Sequence, residues 1–140
     1  VKNKIMEMLL KEAVKSAKLN EIPVSAVIVK DNKIIAKAHN MRVKTALTMA
    51  HAEIIVIKKA NKRLKDWRLK GCDLYVTLKP CDMCSEVIKE ARISNVYYLI
   101  DPLKFKKKYN KTTEIKLGDE YNDYFEKISA IFSGFFSDKR

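Results

Sequence analysis

Apolar residues recur at helical spacing over residues 2 to about 18 (Ile5, Met8, Leu9, Ala13 and Ala17, with lysines between them), which predicts an amphipathic first helix. Asn20-Glu21-Ile22-Pro23 ends it, because proline disfavours helix in the residue before it. Val24 to Val29 is short, apolar and rich in β-branched residues, so it reads as a buried strand. Asp31-Asn32 supplies a two-residue hairpin turn into a second strand, Lys33 to Ala38, which closes at His39-Asn40. Residues 41 to 50 read as a loop. The next run, Ile54-Ile55-Val56-Ile57, favours a strand on propensity alone. However, Ala50 to about Arg63 contains no turn residue, and Ala52, Ile55, Val56 and Lys59 fall on helical spacing, which predicts a helix buried against a sheet.

The second half continues the alternation. Asn61 to Gly71 is a polar connection carrying Trp67, and Cys72 to Leu78 is a third strand. Pro80 starts a second buried helix running to about Ala91, and Asn95 to Ile100 is a fourth strand. A fifth strand fits within Leu103 to Leu117, and a last helix begins near Asp119 with Tyr121, Tyr124, Phe125, Ile128, Ile131, Phe132 and Phe135 on one broad face. Helices alternating with the later strands require crossovers. The expected fold is therefore α/β, three layers (α/β/α) around a mixed, partly parallel sheet, with residues 1–140 forming one domain.

Composition narrows the setting. Apolar residues make up 47% and charged residues 33%, as in a soluble globular protein. No apolar run reaches transmembrane length, and Val1 to Asn20 carries lysines throughout, unlike a secretory leader. Three cysteines argue against a disulfide framework and for a reducing compartment, so the cytoplasm is the expected location and no membrane partner is expected. The net charge of +12 suits a polyanionic partner such as nucleic acid. Lysines outnumber arginines 24 to 5 and are spread along the chain, which general compositional bias also produces.

Chemistry concentrates in two stretches, His51-Ala52-Glu53 and Pro80-Cys81-Asp82-Met83-Cys84, with 27 residues between Glu53 and Cys81. Either half alone is ambiguous. A Cys-x-x-Cys pair also serves redox chemistry or half of a structural zinc knuckle. Together, His51, Cys81 and Cys84 form a three-ligand zinc set that leaves a fourth position for water, as catalytic sites do. Glu53, two residues from the histidine, is placed to carry protons. The cysteines fall in the first turn of a helix and His51 at the start of another, so two helix amino ends converge where they favour thiolate. A Cys3His structural site closed by Cys72 is the competing arrangement. It is disfavoured because Cys72 lies in a strand and is explained as a small buried thiol.

These two stretches resemble the zinc nucleobase and nucleoside deaminases, whose His-x-Glu and Pro-Cys-x-x-Cys signature is a standard one. Glu21-Ile22-Pro23-Val24, His39-Asn40, His51-Ala52-Glu53-Ile54, Leu74-Tyr75-Val76-Thr77-Leu78 and Ala91-Arg92-Ile93 extend the resemblance to the bacterial tRNA-specific adenosine deaminases, over about residues 5 to 101. The resemblance implies a cytidine-deaminase-like fold, one Zn2+ per subunit, and hydrolytic conversion of the wobble adenosine of a tRNA anticodon to inosine. It also implies that Asn40 hydrogen-bonds the flipped-out base, that the backbone beside Ala52 helps hold it, and that Val24 and Leu78 line the pocket. A homodimer bound to the anticodon arm is the implied assembly. The chain departs from that family's usual pattern at Ser25, at Leu47-Thr48-Met49, at Lys79 and at Ser85-Glu86, none of them a metal ligand or proton carrier.

Lys104, Phe105, Lys106, Lys107 and Lys108, with Lys139 and Arg140 at the end of the sequence, combine cations with an aromatic ring and are the candidate RNA contacts. A solvated loop is the alternative for the first five. Two rival functions stand beside tRNA editing. One is a deaminase of a free nucleobase or nucleoside, of guanine or cytosine type, on the same scaffold. The other is a non-catalytic, zinc-stabilised nucleic-acid-binding module, against which the intact Glu53 argues.

Overall fold

The computed structural model describes residues 2–101, 116 and 118–137. Its elements run α1 (Lys2–Lys18), β1 (Ser25–Lys30), β2 (Lys33–His39), α2 (Arg42–Thr45), α3 (Ala52–Leu64), β3 (Cys72–Leu78), α4 (Asp82–Glu90), β4 (Asn95–Ile100) and α5 (Asn122–Ser137). The chain divides into two compact units, Val1–Lys106 and Lys107–Arg140.

In the first unit the strands form one sheet in the order β2-β1-β3-β4. β1 is antiparallel to both β2 and β3, whereas β3 and β4 are parallel. The hairpin turns through Asp31 and Asn32, both at positive φ (51° and 61°), as a type I′ turn requires, and its twist matches that of the flanking strands. Central β1 explains its unbroken apolar sequence. Ala26 and Ile28 point to one face and Val27 and Val29 to the other, and all four are buried.

One face is covered by α1, whose Ile5 and Leu9 pack with Val27 and Val29 and, less deeply, with Tyr75 and Ile34. Ser25, fully buried, donates its hydroxyl to the Leu9 carbonyl at 2.7 Å and ties α1 to the start of β1. The opposite face is covered by α3 and α4. There Val56, Ile57 and Ile88 pack with Ile28, Leu74 and Val76, each fully buried aliphatic side chain stabilising by about 2 kcal/mol. These are the three layers expected from the alternation. α3 also guards the free edge of β2, since Lys59 Nζ and Arg63 Nη1 donate to the carbonyls of Lys37 (2.9 Å) and Ile35 (3.1 Å).

Two local expectations need correcting. Residues 41–50 are not wholly loop, because Arg42–Thr45 forms a short helix. Pro80 does not open α4 either. Cys81 keeps extended backbone (φ −69°, ψ 171°) as the N-cap, so the helix starts at Asp82 and Pro80 precedes the cap. In the second unit a 3-10 turn, Asp119–Tyr121, leads into α5, with Asp123 and Lys127 paired at 3.1 Å one turn apart. The fifth strand sought within 103–117 falls on residues that, apart from 116, lie outside the described part. So do all seven candidate RNA contacts, Lys104, Phe105, Lys106, Lys107, Lys108, Lys139 and Arg140.

Candidate active site

The first turns of α3 and α4 bring the chemistry together. His51 is the N-cap of α3, held extended at φ −78° and ψ 145°. Cys81 is the N-cap of α4, and Cys84 follows in its first turn. His51 Nδ1 lies 3.8 Å from Cys81 Sγ and 3.4 Å from Cys84 Sγ. All three donor atoms fall within 4.8 Å of one another, as a metal ion would require. Zinc bonds of about 2.0–2.3 Å in a tetrahedron give donor separations of roughly 3.5 Å, so the spacing fits that ion. Cys72 is buried in β3 and is not part of the cluster, which removes the closed Cys3His arrangement.

Electrostatics divides the thiols. Cys81 is pulled down to about 5, first by the hydrogen bond from the Cys84 thiol, then by the amide N–H of Cys84, the nearby imidazole and the Met83 amide, against the opposing cost of burial. The Cys84 thiol is pushed up, first by donating a hydrogen bond to Cys81, then by burial. The two shifts are opposite in sign, so Cys81 is the thiol whose ionised form the fold favours.

Glu53, on the first turn of α3, is only 3% exposed, and its Oε1 has no hydrogen-bond partner. Burial raises its carboxyl from 4.5 to about 7 and the Cys81 charge adds to this, while its own amide and the Cys84 thiol act the other way. A buried carboxylate oxygen with no partner is costly, and such groups concentrate where chemistry needs them.

Asn40, at the end of β2, is also buried, and almost every polar atom it has is committed. Its amide N–H donates to the Val24 carbonyl (3.0 Å), and its Oδ1 accepts the Ala52 N–H at 2.8 Å. Its carbonyl lies 3.3 Å from the fully buried Ser16 hydroxyl, which is also 2.8 Å from the Ile22 carbonyl. Only Nδ2 remains, and among the described residues no protein acceptor takes it. Val24 is buried and Leu78 half-buried, both in the apolar cluster on the α3 side of the sheet.

The structure thus joins His51, Cys81, Cys84 and Glu53 in one cluster and links Asn40 to Ala52 beside it. Two contributors were given no role by the sequence reading. Ser16 looks like any polar residue on α1, and Glu21 figures there only within the Glu21-Ile22-Pro23-Val24 stretch. Its carboxylate nevertheless accepts the N–H groups of Val43 (2.7 Å) and Lys44 (2.9 Å), more than twenty residues ahead. Such a long-range contact leaves no local signal.

A three-layer α/β/α domain with two helix amino ends focused on a His-Cys-Cys set, and a buried acid with one open oxygen beside it, defines a zinc-dependent deaminase-type centre. The model of the cytidine and deoxycytidylate deaminase zinc-binding region matches residues 1–100, and the chain belongs to that family. It is 45% identical over 96 residues to the tRNA-specific adenosine deaminase of Bacillus subtilis (strain 168), covering 66% of this chain and 60% of that protein. The tRNA-specific adenosine deaminase of Aquifex aeolicus is 43% identical over 97 residues, covering 69% and 64%. The chain therefore spans a little over three-fifths of the length of these curated relatives.

Among solved structures, one from a study of A-to-I editing by tRNA:A34 deaminases at the wobble position superposes with a TM-score of 0.67 at 43% identity, covering 69% of this chain and 75% of that one. The guanine deaminase of Bacillus subtilis superposes with a TM-score of 0.72 at 25% identity, covering 91% and 93%.

Proposed function

We propose that this chain hydrolytically deaminates the wobble adenosine of a tRNA anticodon to inosine. The observation that carries the chemistry is the buried Glu53 carboxyl, its Oε1 unpartnered, beside His51, Cys81 and Cys84. The substrate rests on relatives named tRNA-specific adenosine deaminases at 43–45% identity.

His51, Cys81 and Cys84 would hold the zinc ion, which supplies a water whose pKa falls from about 16 to about 7. Glu53 takes the proton of the attacking water and delivers it to N1 of adenine as the C6–O bond forms. In a second transfer Glu53 takes the remaining proton from the new C6 hydroxyl and delivers it to the C6 amino group; the C6–N bond breaks, ammonia leaves and the C6 carbonyl of inosine remains. Burial, which pushes the Glu53 carboxyl above its ordinary range, suits a group that must both accept and return a proton. Asn40, with Oδ1 pinned by Ala52, presents Nδ2 to an acceptor on the flipped-out base. Ala52 contributes through the backbone it fixes, and Val24 and Leu78 form apolar wall. The reading includes a cytoplasmic homodimer on the anticodon arm; the +12 charge supports the polyanionic partner alone.

The fuller overlap with guanine deaminase favours one rival, a free-base enzyme on the same scaffold. Incubating the zinc-loaded protein with an anticodon stem-loop bearing a wobble adenosine, alongside free adenosine, cytidine and guanine, separates the two. Inosine on the stem-loop alone is the expected result. Turnover of guanine with an inert stem-loop would transfer the protein to the rival reading.

A further inference from the structure

The stretch between Asn40 and His51 connects the residue assigned to the base with the first metal ligand, so its conformation bears on both. Its base is closed by two hydrogen bonds, Met41 N–H to the Ala50 carbonyl at 2.9 Å and Ala52 N–H to Asn40 Oδ1 at 2.8 Å. Above that closure residues 42–49 are all exposed. They carry the cations Arg42 and Lys44 and the apolar side chains Val43, Leu47 and Met49, each at least 59% exposed. Unaided, ten residues with so little burial would be mobile.

Among the described residues, one hydrogen-bonded tether reaches it from outside. α1 ends through Asn20, whose left-handed backbone (φ 57°) lets Asn20 and Glu21 donate their N–H groups back to Ala17 and Ser16. That turn delivers Glu21, itself buried, against the loop. One oxygen, Oε2, accepts both the Val43 and Lys44 N–H groups, at 2.7 and 2.9 Å. These are two of the donors that a helix start leaves without intrahelical partners. No side chain at the N-cap Met41 serves α2, so the distant carboxylate takes that role.

We propose that Glu21 is a positioning residue. By gripping the Val43 and Lys44 amides it fixes Met41–Ala50 as a preformed rim that engages the polynucleotide flanking the reacting base, while the proton chemistry below proceeds without it. This rests on the tRNA-deaminase reading. A free base has no flanking phosphates for Arg42 and Lys44 to meet, so the rim matters only for a polynucleotide. Pre-ordering the loop removes an ordering cost that would otherwise weaken substrate binding.

The test uses the zinc-loaded protein, with Glu21→Met, which keeps the side-chain bulk without a strong acceptor, and Glu21→Gln, which keeps a carbonyl oxygen able to take both amides. Hydrogen exchange across residues 41–50 is measured beside kcat and KM on the anticodon stem-loop. In Glu21→Met, amide exchange at Val43 and Lys44 should rise at least about tenfold. KM should rise about tenfold with kcat within about twofold, the signature of lost binding and intact chemistry. Zinc content should not change, and Glu21→Gln should restore both exchange and KM. Unaltered exchange in Glu21→Met overturns the anchor, and a fall confined to kcat overturns the binding role of the rim. If the wild-type protein is inert on the stem-loop, the functional reading and the polynucleotide role both fail, and the exchange rates alone then decide whether Glu21 holds the loop.

Discussion

Glu53 and Glu21 are both buried carboxylates, at 3% and 6% exposure, yet the fold treats them in opposite ways. One oxygen of Glu21 is saturated by two backbone amides, and the side chain serves as a brace for the loop above the site. Glu53 is left with an unpartnered oxygen and a carboxyl raised to about 7, at the cost of stability, on the site floor. The difference separates a carboxylate whose oxygen is filled by protein donors from one with an oxygen left open, as the proton-carrying role proposed for Glu53 requires.

The largest expected effect lies on the floor. Glu53→Ala should keep full zinc occupancy, since the glutamate is not a ligand, while deamination falls by about 10³–10⁴-fold. Atomic absorption beside an inosine assay reads both quantities. A zinc-replete mutant with near-normal turnover would remove Glu53 from the chemistry and erase the contrast with Glu21.

Next in size is the stability cost of the open acid in the metal-free protein. The folded carboxyl sits near 7 against 4.5 in its ordinary state. The neutral form is therefore favoured on folding, with no penalty below about pH 4.5, a growing one up to pH 7 and a constant one above. Glu53→Gln removes that penalty, so urea unfolding should show a gain of up to about 3 kcal/mol at pH 8 that shrinks towards zero near pH 4. A gain independent of pH would mean that packing, not charge burial, separates the variants.

The smallest effect sharpens the picture of the rim. Ala46 closes α2 in the left-handed region at φ 57°, where a Cβ costs about 1 kcal/mol and glycine nothing. Ala46→Gly should therefore raise the urea midpoint by the equivalent of about 0.5 kcal/mol after the extra freedom of the unfolded glycine is subtracted. A clear loss of stability would show that the left-handed turn is not strained.

Much of this architecture was legible beforehand. The four strands and the helices from Lys2, Ala52 and Asp82 show in the sequence because their apolar periods are long enough to identify. The β-branched run Ile54-Ile55-Val56-Ile57 resolved as helix because uninterrupted length outweighed propensity. By contrast α2 is four residues long, lacks an apolar period and depends on a carboxylate twenty-one positions before its start, so no local window reveals it. The true start of α4 was missed because proline fits both the first helical turn and the position before a cap, and only the backbone of Cys81 distinguishes them. Asn40 was assigned through family likeness, but which of its atoms stay free depends on Ala52, Val24 and Ser16 meeting it in space.

The sequence by itself determined the ligand set, the acid beside it and the alternation of helices with strands, because each is written in residue type and spacing along the chain. Tertiary structure decided the strand order with β1 at the centre, the raised pKa of Glu53 and the bracing of the rim by Glu21. Those depend on which groups lose water and which amides find a partner, quantities that exist only once distant segments share the same space.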